Sequence, residues 1–305
     1  MRIPAIAGMI LLATAAHADM AVTALPFTGD RPTRYYLADN VVVTAGTLGF
    51  VVGANNVTLD LNGHTVVCAG EPETWTRGIY AYGRANFTLR NGVVRNCGVG
   101  LEGERLSGAR VENVRFVDNY FRAIRLDGSD SEILNNRIEN TTPEARVAQP
   151  EPAQPAPRTR RLQDAGGTGG DGGRPAATVP GTASLEAPVI AIGIEILGER
   201  NIVHHNTVID TKGSAESVAI SVSDRGVGSV VTDNLLRNGE DPNDEYGIWV
   251  GGESDAEVVG NTIAGFDFGL AASSPTKGFF RNNTVRGART SYLINGTWTD
   301  GGNNY

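Results

Sequence analysis

Beyond residue 20 the chain contains no methionine, only two cysteines (Cys68 and Cys97) and three histidines. No stretch approaches the roughly 20 apolar residues that a membrane span requires. No helical 3.6-residue period of any length appears after the first eighteen residues. There is no Gly-x-Ser-x-Gly nucleophile motif and no Cys/His spacing suited to zinc. Basic residues are outnumbered, 26 against 34 acidic, which argues against nucleic acid and anionic membrane surfaces as partners. These absences exclude a membrane-spanning helix, a helical bundle and a zinc module.

The apolar run that does exist lies at the start. Met1-Arg2 is followed by Ala5 to Ala16, with Met9-Ile10-Leu11-Leu12 at its centre, and Ala16-His17-Ala18 is a small-x-small cleavage pattern. Residues 1–18 read as a secretory signal peptide with Asp19 opening the mature chain, which predicts an exported protein, periplasmic or extracellular. Removing the signal takes one arginine and leaves a net charge of about −9. In such a compartment an even pair of cysteines predicts one disulfide; two buried free thiols are the alternative.

What the chain has in abundance is glycine, 39 residues, and a repeat. Leu61-Asn62-Gly63-His64-Thr65-Val66 is followed by equivalent segments centred on residues 92, 114, 136, 206, 234, 261 and 283. The separations are 28, 22, 22, 70, 28, 27 and 22 residues. At each repeat an apolar residue stands three before and two after the central one, with mostly polar residues between, so each segment reads as a short strand with one buried face. Such a strand is stable only when stacked on the copies before and after it, about 4.8 Å away. The central residue is asparagine in five of the eight repeats (Asn136, Asn206, Asn234, Asn261, Asn283), a pattern that predicts a ladder of side-chain amides.

The gap of 70 holds the chain's one biased segment. Residues 143–188 carry eight of the fourteen prolines, the Gly166-Gly167-Thr168-Gly169-Gly170 run and few large apolar residues. This composition predicts a disordered insertion that adds no coil. Its Arg158-Thr159-Arg160-Arg161 run is a candidate contact for a protein partner or a protease site.

The stretch Asn55-Asn56-Val57-Thr58-Leu59-Asp60-Leu61-Asn62-Gly63-His64-Thr65-Val66 resembles the first full coil of pectate-lyase-like β-helix proteins. The later Gly-Ile, Asn-Ile-Val and Asn-Thr-Val coils resemble the repeats of nosD-like and carbohydrate-active β-helix proteins. The ending Asp300-Gly301-Gly302-Asn303-Asn304-Tyr305 resembles their C-terminal edge. The resemblance covers roughly residues 35–142 and 188–305. It implies an all-β fold, a single-stranded right-handed parallel β-helix (solenoid) of about eight to nine coils over residues 19–305, interrupted by the one insertion. It leaves function open, because this fold carries lyases, hydrolases, epimerases and non-enzymes. The enzyme motifs of its best-known members (Gly-His-Gly, Asn-Thr-Asp with Asp-Asp, Trp-x-Asp-His, Arg-x-Pro-x-x-Arg) are missing. Cys68 and Cys97 each stand six residues after an Asn-Gly pair in successive coils, which places them one rung apart, within disulfide reach.

In a coil stack, outward side chains at equivalent positions form lines. The strand preceding each central segment predicts an outward line Tyr80, Glu102, Arg125, Glu195, Ser221, Trp249, Ala271. Two carboxylates flank a guanidinium, and aromatics stand toward both ends, a set suited to sugar rings and to a carboxylate or sulfate. The candidate catalytic residues are Glu102, Arg125, Glu195 and Asp127, and the candidate substrate-binding residues are Tyr80, Trp249 and Ser221. This set predicts a polysaccharide or oligosaccharide partner, and for an enzyme the reaction expected is that of a lyase or a glycoside hydrolase. A self-neutralising charge ladder on a non-catalytic binding or scaffold protein is the alternative. The acidic loop with Glu240, Asp241, Asp244 and Glu245 is a candidate Ca2+ site. A second outward line, Arg90, Glu112, Leu134, His204, Thr232, Val259, Arg281, is less coherent. Because adjacent strand residues face opposite ways, His204 and His205 are not expected to meet at one ion.

Overall fold

The computed structural model describes residues 18–70, 76–143, 190–239 and 244–305. Every regular element among them is a β-strand, and every strand pairing is parallel. No helix among the described residues is long and apolar enough to cross a membrane. Each coil contributes strands to three faces. The first face is a ten-stranded sheet stacked in strict chain order from Phe27–Gly29 to Thr290–Ile294, which corresponds to about nine turns. The second and third faces meet at the central position of the repeat and are joined through the long strands Thr88–Arg95 and Arg110–Val117, which run across both.

The corner between the second and third faces explains the repeat. The residue before each central position takes a left-handed backbone: Asn91, Asn113, Asn135, His205, Asp233 and Asn282 all have φ between 54° and 60°. Asn and Asp tolerate this conformation better than other non-glycine residues. The central asparagines, turned inward by the corner, are buried. The main-chain N–H and the side-chain amide of Asn206 both donate to Asn234 Oδ1, at 2.9 and 3.1 Å, and the same double contact links Asn234 to Asn261 and Asn261 to Asn283. The predicted ladder is therefore present, and it runs one step further, to Asn304. Polar side chains are buried here because nearly every donor and acceptor is matched along the stack.

The core is a continuous file of Val, Leu, Ile and Phe from Val22 to Val285. Cys68 and Cys97 are bonded to each other, with their Cα atoms 4.9 Å apart. The strands on either side of residues 144–189 pair directly, Arg122 with Ile192 and Arg137 with Thr207, so no rung intervenes. The predicted signal peptide up to residue 17 and nearly all of the predicted insertion lie outside the described residues.

One feature of the first face departs from simple alternation. Gly49, Gly78, Gly100, Ala123, Gly193, Ala219, Gly247 and Gly269 stand in register. A Cβ on Gly100 would lie 2.5 Å from Ala123 O and 2.8 Å from Phe116 Cδ1. This column therefore faces the core, as does the next residue in each strand (Ile79, Leu101, Ile124). Two consecutive inward positions leave the residues on either side, three apart, both pointing out.

Candidate functional site

The outward line predicted on the first face exists without a break. Tyr80 pairs with Glu102, Glu102 with Arg125, Arg125 with Glu195, Glu195 with Ser221, Ser221 with Trp249 and Trp249 with Ala271. Five rung steps separate Tyr80 from Trp249, about 24 Å at ~4.8 Å per rung, the length of a short oligosaccharide laid along the coil axis.

Within this line Glu102 and Glu195 are almost fully buried, at 5% and 8% exposure, although both point away from the core. Arginines cover them. Arg77 contacts Glu102 directly. Arg125 stands between the two carboxylates, 3.3 Å from Glu102 Oε1 and 3.2 Å from Glu195 Oε2. Arg122 Nε lies 2.6 Å from Glu195 Oε2, and Arg125 also approaches Glu104 Oε1 at 3.5 Å. Three guanidiniums thus balance three carboxylates. Arg77 and Arg122 are the residues that alternation alone misplaces. They share parity with inward Ile79 and Ile124, but the small-residue column turns them outward. The same displacement brings Val99, Ile192 and Val218 to the outer side, where they are buried without joining the core.

Beside the ladder lies a depression of about 670 Å3 lined by Arg105, Arg125, Asp127, Leu197, Asp224, Arg225 and Glu253. A register shift between Gly103 and Leu106 relative to the next rung marks a β-bulge. The bulge puts Arg105 in a left-handed conformation, φ 52°, and its guanidinium over the Tyr82 ring at 5.5 Å. Bulges re-aim side chains in this way at sites of function. Gly198, φ 88°, floors the depression; a Cβ there would lie 2.2 Å from Gly128 O. Among the described residues Asp127, Asp224, Glu253, Arg105 and Arg225 form no ion pair within 4.0 Å. The depression therefore presents charges of both signs that are free to meet a ligand. Arg105, Asp224 and Arg225 carry no repeat signal, and only their positive φ and the bulge distinguish them.

The ends of the line are aromatic. Burial first, and then the charges of Glu104 and Glu102, push the Tyr80 phenol above its ordinary value, so it stays a hydrogen-bond donor. At the other end Trp249 meets Tyr246 edge to face, 5.2 Å between ring centroids, and Tyr246 stacks on Phe268 at 4.9 Å. Tyr246 and Phe268 stand three residues before Trp249 and Ala271, the same displacement that brings out Arg77. Ser221 is buried in the line between Glu195 and Trp249.

Of the candidate calcium residues, Glu240 and Asp241 lie outside the described residues, as does the side chain of Asp244. Glu245 is buried at 2% exposure, and its carboxylate accepts from Asn238 Nδ2 at 2.7 Å. Among the described residues no group of three or more His, Cys, Asp or Glu side chains converges as metal ligands.

The second outward line, Arg90 to Arg281, is also in register throughout. It corrects the expectation for the two histidines. His205 occupies the left-handed corner, φ 55°, so the strict strand alternation that would send the two rings to opposite faces fails there. The Nδ1 atoms of His204 and His205 lie 2.9 Å apart.

The family model for the right-handed β-helix region matches residues 39–150. The fold is a right-handed parallel β-helix, and the family match spans just over a third of the chain. Comparison with curated protein sequences gives no match. Among solved structures, the catalytic unit of a thermostable GH87 α-1,3-glucanase from Streptomyces thermodiastaticus is 14% identical with a TM-score of 0.48, the match covering 94% of this chain and 61% of the glucanase unit. Pectate lyase Pel9A is 13% identical with a TM-score of 0.41, covering 90% of this chain and 70% of the lyase. The A-module of a mannuronan C-5 epimerase from Azotobacter vinelandii is 12% identical with a TM-score of 0.27, covering 88% and 91%. The β-helix repeat protein thus spans less than two thirds of the glucanase unit.

Proposed function

We propose that this β-helix repeat protein binds an extended polysaccharide lengthwise along its first face, outside the cytoplasm. The observation that carries the reading is the unbroken register from Tyr80 through Glu102, Arg125, Glu195 and Ser221 to Trp249, with a charged depression opening beside Arg125. Aromatic faces at both ends suit sugar rings. The arginines of the depression suit hydroxyls, carboxylates or sulfates, and Asp127, Asp224 and Glu253 suit hydroxyl donors. Export is supported by the signal-like first eighteen residues and the Cys68–Cys97 bond.

Binding is favoured over hydrolysis by Glu102 and Glu195, because both carboxylates are engaged by arginines. An acid and a base for glycoside hydrolysis need carboxyls open to the substrate from opposite sides. Cleavage is a second reading, and Asp127 favours it: this carboxylate lines the depression with Arg125 and has no ionic partner among the described residues. The test is a screen of the purified chain on neutral and acidic polysaccharides, following retardation in native gels, new reducing ends and the absorbance of unsaturated uronates. Retardation without turnover is the expected result. Turnover that disappears in Asp127→Asn replaces binding with cleavage. No retardation by any polymer contradicts both readings.

A further inference from the structure

The two Nδ1 atoms of His204 and His205, 2.9 Å apart on the second face, belong to neither the glycan line nor the amide ladder. Imidazole nitrogens bind borderline divalent ions at about 2.0–2.1 Å. Two nitrogens 2.9 Å apart, each about 2.05 Å from one ion, subtend an angle of about 90° at that ion. A tetrahedral ion would need them about 3.3 Å apart. A right-angle bite belongs to square-planar, tetragonal or octahedral coordination, the preference of Cu2+ and Ni2+ rather than Zn2+.

The surroundings of the pair fit a ligand role. His204 Nε2 lies 2.7 Å from Glu132 Oε1. A carboxylate on the far ring nitrogen fixes the tautomer in which Nε2 carries the proton and Nδ1 presents its lone pair. Glu132 is itself held by Arg110, which also pairs with Glu112 at 2.9 Å, so the cation beside the site is already matched. Asp233 occupies the same corner position one coil further on and brings a negative charge close. The His205 ring is exposed at the surface, so an ion has access.

We propose that His204 and His205 form a two-nitrogen site for a single divalent transition ion of tetragonal preference, with Cu2+ as the strongest binder. Among the described residues no third protein ligand converges on the pair, so water or an external ligand fills the remaining positions. Glu132 is a positioning residue that acts through His204.

The test is titration of the full chain with Cu2+ in a non-chelating buffer, read by visible absorption and electron paramagnetic resonance. One Cu2+ per chain with a two-nitrogen signature is expected. His204→Ala and His205→Ala should each weaken that site at least tenfold, whereas His64→Ala leaves it intact. Glu132→Gln should weaken it about tenfold while the two-nitrogen signature persists. Circular dichroism of each variant separates loss of the site from loss of fold, and His205→Asn removes the second imidazole with a residue that the left-handed corner accepts. Absence of stoichiometric binding would mean that the pair is only a hydrogen bond, and equal binding in both alanine variants would place the ion elsewhere. Either result overturns the proposal, as does displacement of Cu2+ by equimolar Zn2+.

Discussion

Asn136 and Asn206 are 70 residues apart in the chain, yet both the main-chain N–H and the side-chain amide of Asn136 donate to Asn206 Oδ1, at 3.0 and 3.1 Å. The contact has the same form as those between asparagines one ordinary coil apart. On the first face, Arg125 and Glu195 stand in register across the same gap. The coil therefore continues past residues 144–189 as though they were absent. Replacing 144–189 by a short Gly/Ser linker should leave a single cooperative unfolding transition with a nearly unchanged midpoint, measured by circular dichroism. Loss of the cooperative transition would show that the replaced residues supply part of the stack.

The amide ladder is a stability element with an identifiable cost of interruption. Asn206 is buried, and its Nδ2 donates to Ile133 O, His204 O and Asn234 Oδ1. Asn206→Ala removes these bonds and deprives two donors of Asn136 of their acceptor. The expected loss is about 3 kcal/mol, since buried polar groups left unmatched cost about 1–3 kcal/mol each. Urea denaturation of the variant measures it, and a change below about 0.5 kcal/mol would contradict a stabilising ladder.

Much of this was legible in the sequence, for a physical reason. A coil stack repeats the same environment on every rung, so the spacing of Asn136, Asn206, Asn234, Asn261 and Asn283 and the line from Tyr80 to Trp249 appear as periods. What a period cannot show is local departure from it. Arg77, Arg122, Tyr246 and Phe268 escaped because strict alternation assigns them inward, whereas the small column through Gly78, Gly100 and Gly247 gives two consecutive inward positions. Arg105, Asp224 and Arg225 escaped because a bulge and left-handed turns place them, and neither recurs from coil to coil. His204 and His205 depart from alternation for the same reason, since a left-handed corner interrupts it. The Gly-Ile dipeptides at 78–79, 193–194 and 247–248 were the available signal: a residue with no side chain before a core isoleucine marks where the strand meets the next rung closely.

Acid stability should depend on one carboxylate near the N-terminal end. Burial raises the Asp60 pKa, but the Asn62 N–H and the Asn91 amide, together with Arg90 and Arg34, outweigh it and hold the group below the ordinary carboxylate range. A carboxyl with a depressed folded-state pKa contributes stability that is complete above its unfolded value of about 3.9 and is lost as pH falls through the folded value. The unfolding free energy of the wild-type chain should therefore fall more steeply below about pH 4 than that of Asp60→Asn. Parallel acid profiles would contradict this role.

The central claim is that a glycan lies along the line from Tyr80 to Trp249. Isothermal titration with an oligosaccharide series of increasing length, on the wild-type chain and on Tyr80→Ala and Trp249→Ala, tests it most directly. The account predicts affinity that rises with length until the ligand reaches both aromatic ends, about 24 Å apart, and then levels off. Each alanine variant should lose about 1 kcal/mol or more on the long ligand and little on the shortest. Affinity independent of length, or unchanged in both variants, would contradict a glycan on this face.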